Sequence, residues 1–304
     1  MGNTRSKVLP APSEPVTEQV QPVYANSEPV PSFADAGPHW HGWQPVKHFF
    51  VFGASYCSIG IIGRPRPSDE LPLGTAWPGT TYAERGAPNW VGHLVARGSP
   101  DHVTGVPLTF CYAVGGARVD NVRRQIRQLF LGEEESIDPV QPAGQKPDFA
   151  PWTADDSLCS TWVGINDLAF GADPEENIAR LLEAHTKLYD AGLRNFMFVN
   201  APPLHRFPKY ASRKRETATS PEERWNAVLA RKVAEWKHDG REDASVFLYS
   251  AYDTFSRVFD NPPAYGFQDT KGMFVDHLHP SSAMHKIIAH DIAELLDGAV
   301  HAPV

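Results

Sequence analysis

Only three cysteines occur in the 304 residues, Cys57, Cys111 and Cys159. So odd and sparse a set excludes a disulfide framework, and each lies in or beside an apolar run, so buried free thiols are expected. No Asn-X-Ser/Thr glycosylation acceptor is present. No apolar run approaches the roughly 18 residues that span a bilayer, which argues against a membrane-crossing helix. The first twenty residues hold no apolar stretch of the kind a secretory leader needs, so an intracellular, cytoplasmic location is expected. Basic residues are in the minority, 28 Lys and Arg against 36 Asp and Glu, for a net charge of −8. Without a basic stripe, nucleic acid is not an expected partner. The one cationic cluster, Arg213-Lys214-Arg215, sits in a polar stretch and reads as a solvated loop. One targeting pattern is present: Met1-Gly2-Asn3-Thr4-Arg5-Ser6 fits N-myristoylation at Gly2, although a single acyl chain anchors only weakly.

Residues 1–44 contain seven prolines, from Pro10 to Pro38, and follow neither a helical nor a strand period. Proline removes backbone donors and breaks helices, so a disordered tail is expected there, with one domain over residues 45–304. From His48 the chain alternates. The apolar runs His48-Phe52, Leu108-Val114, Cys159-Val163, Arg194-Asn200 and Val246-Tyr249 read as buried strands. Between and after them, Val119-Phe130, a segment opening at Pro174, Pro221-His238 and Ser281-Leu296 carry apolar residues at helical spacing. Strands alternating with helices imply a parallel sheet covered on both faces. In such a sheet the reactive groups gather at the carboxyl ends of the strands.

Three short motifs fall at those ends. Gly53-Ala54-Ser55 follows the first strand, and a serine in a strand-to-helix turn offers its hydroxyl and its backbone N–H to one carbonyl. Gly-Ala-Ser is also an ordinary turn composition. Gly164-Ile165-Asn166-Asp167 follows the third strand; Asn166 could aim its amide at an oxyanion or simply cap a helix. Asp276-His277-Leu278-His279-Pro280 precedes the last helix. The three-residue spacing lets Asp276 accept from the ring of His279, whereas His277 follows the acid too directly to face it. Neither metal nor other cofactor is expected, because the His277/His279 pair lacks further ligands at recognised spacing.

In this order, Ser, then Asn, then Asp-x-x-His-Pro, the motifs resemble the SGNH (GDSL-type) serine hydrolases. Further segments are similar to one branch, the fungal acetylesterases grouped with carbohydrate esterases. These are Pro88-Gly92, Tyr112-Ala117, Ala150-Thr153, Ala191-Phe196, Asn200-Pro203 and Asn261-Phe267, within a likeness over about residues 47–298. The resemblance implies a flavodoxin-like three-layer α/β/α sandwich with a central five-stranded parallel sheet. It implies cofactor-free hydrolysis of a small-molecule ester, short-chain or acetyl, with Ser55, Asp276 and His279 as the triad. It also implies an oxyanion hole from the Ser55 N–H, the Gly116 N–H and the Asn166 side chain, Gly116 being preferred to Gly115 for its later place in the block. One departure stands out: the family has Asp between the glycine and the serine, and here it is Ala54. That puts the rigidity of the serine loop in question and keeps open the alternative of a catalytically impaired SGNH-fold binding protein. An α/β-hydrolase lipase is disfavoured because no Gly-X-Ser-X-Gly elbow exists.

Overall fold

The computed structural model describes residues 30–96, 106–133, 140–210 and 219–299. The Gly2 pattern and the Arg213-Lys214-Arg215 cluster lie outside them. In chain order the main elements are β1 (Phe33–Asp35), β2 (His48–Gly53), α1 (Trp90–Ala96), β3 (Leu108–Cys111), α2 (Val119–Arg124) and β4 (Ser157–Trp162). Then come α3 (Ile165–Ala169), α4 (Pro174–Asp190), β5 (Asn195–Val199), α5 (Pro221–His238), β6 (Ser245–Tyr249), α6 (Ala251–Asp260) and α7 (Ser282–Gly298).

The strands form one sheet in the order β1-β6-β5-β4-β2-β3. Strands β2 to β6 run parallel, as expected, and β1 adds an antiparallel edge. All six residues of β2 are buried, and their alternation divides them between two cores. Phe49 and Val51 face Trp90 of α1 and Ile288 and Ile292 of α7. Phe50 and Phe52 face Val122 of α2, Leu181 of α4 and Trp225 of α5. Each such side chain contributes about 1.5–3 kcal/mol by leaving water, so helices are held on both faces of the sheet and a three-layer sandwich results. Helix starts are set locally: Asp173 accepts from the Glu176 N–H with Pro174 at the first turn, and Ser220 and Glu223 form a reciprocal capping box. Each such cap is worth about 1 kcal/mol.

The expected tail of residues 1–44 needs correcting over its described part. Phe33–Asp35 pairs with Val246–Leu248 at the edge of the sheet, and Trp40 and Trp43 are buried. Prolines flank this strand without entering it, and an edge strand tolerates them. The large apolar area of two tryptophans outweighs the cost of ordering so short a segment. Residues 1–29 lie outside the described part.

Strand β2 is flanked by β3 on one side and β4 on the other, so the direction of winding reverses there. The register pairs Val51 with Cys111 and Gly53 with Trp162. The loops leaving β2, β3 and β4 therefore open side by side at one edge of the sheet, the place where a doubly wound fold leaves a crevice.

Candidate functional site

Ser55 lies in the loop directly after β2. The turn closes on itself, with the Ala54 carbonyl accepting from the Cys57 and Ser58 N–H groups at 3.1 Å each. Gly53, two residues earlier, has φ +149, and any side chain there would collide with the Trp162 carbonyl of β4. Its peptide groups are clamped by one side chain. The Gly53 N–H donates to Gln125 Oε1 at 3.0 Å, and Gln125 Nε2 donates back to the Gly53 carbonyl at 3.0 Å. That carbonyl also accepts from the Val114 N–H at 3.2 Å. Gln125 is buried and opens a π-helical turn, Gln125–Phe130, that continues α2. The rigidity that Ala54 put in question is thus supplied from outside the loop.

The loop after β3 carries Gly115 and Gly116. Gly116 has φ +76, a conformation that favours glycine, and a Cβ there would point into open space. Asn166 sits in the first turn of α3, and its Nδ2 donates to the Ala117 carbonyl at 3.0 Å. An amide nitrogen carries two N–H groups, so one remains beside the Gly116-Ala117 peptide. The capping alternative does not apply, because the N-cap of α3 is Gly164. A Cβ on Gly164 would come within 2.6 Å of the Trp225 indole, which explains the glycine. The next residue, Asp167, accepts from the Val119 N–H at 3.0 Å and so ties the β4 loop to the start of α2. Burial pushes its carboxyl up, opposed by that hydrogen bond.

Asp276 and His279 occupy a narrow loop closed by a bridge between Phe274 and Pro280. His279 Nδ1 lies 2.8 Å from Asp276 Oδ2. The other carboxylate oxygen accepts from the N–H groups of Leu278 and His279, both at 2.7 Å. Partial burial works against ionisation of Asp276. The hydrogen bonds from the His279 ring, the His279 N–H and the Leu278 N–H, together with the His279 charge, outweigh it and hold the carboxyl at about 2. With Nδ1–H given to the carboxylate, Nε2 is left as the acceptor. His277 is exposed at the tip of the loop, where its backbone carbonyl accepts from the Lys209 N–H.

Two aromatic residues that the sequence did not single out surround His279. Tyr56, next to Ser55, donates its hydroxyl to the Leu278 carbonyl at 2.6 Å and sets its ring edge-on to His279 at 6.0 Å. The residue after the serine thus holds the loop that carries the imidazole. On the other side of Tyr56 lies buried His285, 6.1 Å away. Burial, and then the neighbouring His93 and His279, push its ring down to about 3, so it stays neutral. Tyr82 stacks on His279 at 4.9 Å and 28°. Among the described residues, no three His, Cys, Asp or Glu side chains gather as a metal site would require. No described helix is long and apolar enough to cross a membrane.

A doubly wound sheet, a serine turn at its switch point and an Asp-x-x-His loop tied to that turn define a class of hydrolase. The chain belongs to the GDSL-like lipase/acylhydrolase family, whose model matches residues 83–292. The matched stretch contains Gly116, Asn166, Asp276 and His279 and begins after Ser55. The protein is a carboxylic ester hydrolase. An acetylesterase of Thermothelomyces thermophilus is 25% identical over 277 residues, covering 84% of this chain and 89% of the relative. An α/β hydrolase enzyme from the metagenome of Lake Arreo, Spain, superposes with a TM-score of 0.53 at 14% identity, covering 86% of this chain and 100% of that one. A variant of an acetyl xylan esterase from Geobacillus stearothermophilus gives 0.51 at 14% identity, covering 85% and 100%. At such identities these two likenesses speak for the fold alone.

Proposed function

We propose that the protein hydrolyses acetyl esters of small alcohols through an acyl-enzyme formed on Ser55. His279 Nε2 takes the proton from the Ser55 hydroxyl as its oxygen attacks the ester carbonyl. Asp276 orients the ring and stabilises the imidazolium. The N–H groups of Ser55 and Gly116 and the free amide N–H of Asn166 receive the negative charge on the former carbonyl oxygen; such a donor is typically worth about 2.7–4 kcal/mol. Collapse of the intermediate breaks the bond to the alcohol, which leaves with the proton from His279. Water, deprotonated by the same ring, then releases the acid and restores Ser55.

The observation that carries this reading is the Asp276–His279 couple, held to the residue after Ser55 by the Tyr56–Leu278 hydrogen bond. The acetyl preference rests on the Thermothelomyces relative, an acetylesterase. Mixing the enzyme with excess p-nitrophenyl acetate should give a burst of p-nitrophenol followed by slower turnover. Folded Ser55→Ala should give neither. Turnover by that variant near the wild-type rate would discard the assignment, and a wild type inert on every ester tried would favour the binding-protein alternative.

A further inference from the structure

Six large apolar side chains are exposed among the described residues; three of them stand within four residues of a candidate site residue in sequence, and a fourth, Tyr82, touches His279. Val114 precedes the glycine pair, Val275 precedes Asp276, Phe170 follows Asn166 by four residues, and Tyr82 lies on His279. An exposed apolar group that touches a reacting side chain is a natural place for a ligand to rest.

Tyr82 is the best defined of the four. One face of its ring is stacked on the imidazole, and its hydroxyl lies so close over Gly115 that a Cβ on that glycine would collide with it. It therefore reaches from the base to the glycine loop while remaining 43% exposed. The segment that carries it is fixed. Thr81 Oγ1 donates to the Ala87 carbonyl at 2.8 Å, and Glu84 accepts from the Ser282 N–H at 2.7 Å, at the start of the helix that follows His279-Pro280. The Ser282 hydroxyl donates to the Pro88 carbonyl at 2.7 Å. An exposed aromatic ring held from both ends offers its open surface without an ordering cost.

We infer that Tyr82 is the specificity-determining residue for the alcohol half of the ester, carrying a cyclic alcohol on its ring. The inference rests on the proposed roles of Ser55 and His279, and its chemistry is that of the proton. In the step that breaks the ester, the leaving oxygen takes its proton from His279, so the alcohol must lie against the imidazole. The acyl carbon is bonded to Ser55 at that moment and lies toward the oxyanion donors. Tyr82, stacked on the imidazole and 43% exposed, is the aromatic surface nearest to hand for a group held against that ring. The alcohol that gains most is a ring presenting a face of C–H bonds, as a pyranose does. A small acyclic alcohol is too short to cover the tyrosine.

The test compares two acetates that differ in the alcohol, methyl tri-O-acetyl-xylopyranoside and ethyl acetate, with release of acid followed by titration. Tyr82→Ala should lower kcat/KM on the xyloside by about tenfold, mainly through KM, and on ethyl acetate by less than about threefold, while Tyr82→Phe stays within about twofold of wild type on both. Gly115→Ala, whose new methyl group would collide with the Tyr82 hydroxyl, should reproduce the selective loss and should add little in the Tyr82→Ala background. An equal loss on both acetates would mean that Tyr82 acts only by steadying His279, and would overturn the inference. A changed preference between ethyl acetate and ethyl hexanoate would place Tyr82 on the acyl side and overturn it too. If Ser55→Ala retained wild-type turnover, the failure would belong to the proposed mechanism and not to Tyr82.

Discussion

Replacing Gln125 probes how the serine turn is held in place. In Gln125→Leu the volume is nearly kept and both hydrogen bonds to Gly53 are lost. The Gly53 carbonyl retains its bond from the Val114 N–H, but the Gly53 N–H loses the partner it has in Gln125. A buried backbone donor without a partner costs about 1–3 kcal/mol, which should appear as an equal fall in unfolding free energy in urea. If Gly53 relaxes to find another partner, Ser55 moves with it, and a displacement of about 1 Å at a reacting atom costs on the order of 10²-fold in kcat. Gln125→Glu gives a sharper readout. A protonated carboxyl has one acceptor and one O–H donor and can make the same pair of bonds, whereas a carboxylate can only accept and would face the Gly53 carbonyl. Burial raises the pKa of a carboxyl, so the variant should be protonated at the acid end of the assay range. The ratio of variant to wild-type kcat on p-nitrophenyl acetate cancels whatever pH dependence the two enzymes share. It should lie near one at low pH and decline as pH rises. A ratio that is flat with pH, or a Gln125→Leu enzyme with undiminished kcat, would refute the clamp.

Three further outcomes are expected. His279→Ala should lose most of kcat while His277→Ala costs about tenfold at most, the scale of one substrate contact; circular dichroism should show both folded, and the reverse order would make His277 the base. Asn166→Ala should lower kcat by about 10²–10³-fold with a smaller change in KM, because an oxyanion donor acts mainly in the transition state; a change in KM alone would make it a ground-state contact. Acidification should destabilise the fold well before Asp276 titrates. Burial pushes His185 down to about 4 and His285 to about 3, from an ordinary 6.5. The unfolded chain therefore takes up protons that the native one refuses. Stability is complete above pH 6.5 and falls below it by up to about 1.4 kcal/mol per pH unit for each ring. The Asp276 contribution has the same sign but is complete above its ordinary 3.8 and lost only as pH falls through about 2. Denaturant midpoints of wild type and His285→Phe between pH 7 and 4 should diverge in slope, and identical slopes would contradict the assignment.

The five parallel strands were legible because each is a short apolar run ending in a loop, and burial on both faces demands just that composition. The candidate site was read differently: Ser55, Asn166 and the Asp276/His279 couple each sit where strands or loops meet helices, only the Asp276/His279 spacing is local, and the order of the three motifs, more than any one of them, suggested the chemistry. What escaped depends on contacts between distant segments. Three residues of β1 among prolines carry no period, and their pairing with β6 and the burial of Trp40 and Trp43 beside them emerge only in the folded chain. Gln125 falls among Val122, Ile126 and Leu129 in a helical stripe, where a polar side chain looks solvated; its 72-residue reach to Gly53 is invisible in sequence. Tyr82 lies in a segment rich in glycine and proline, and nothing local tells it to turn toward His279. Ala54 left the rigidity of the serine turn open, and the answer came from Gln125.

The central claim, that Ser55 is the nucleophile served by His279 and Asp276, is tested most directly by covalent capture. A fluorophosphonate ester carries a tetrahedral phosphorus that an activated serine attacks irreversibly. Intact-protein mass spectrometry should show a single adduct, and peptide mapping should place it on Ser55. Labelling should vanish in Ser55→Ala, become slow in His279→Ala and proceed normally in His277→Ala. An adduct on another residue, or labelling of Ser55→Ala at the wild-type rate, would contradict the account.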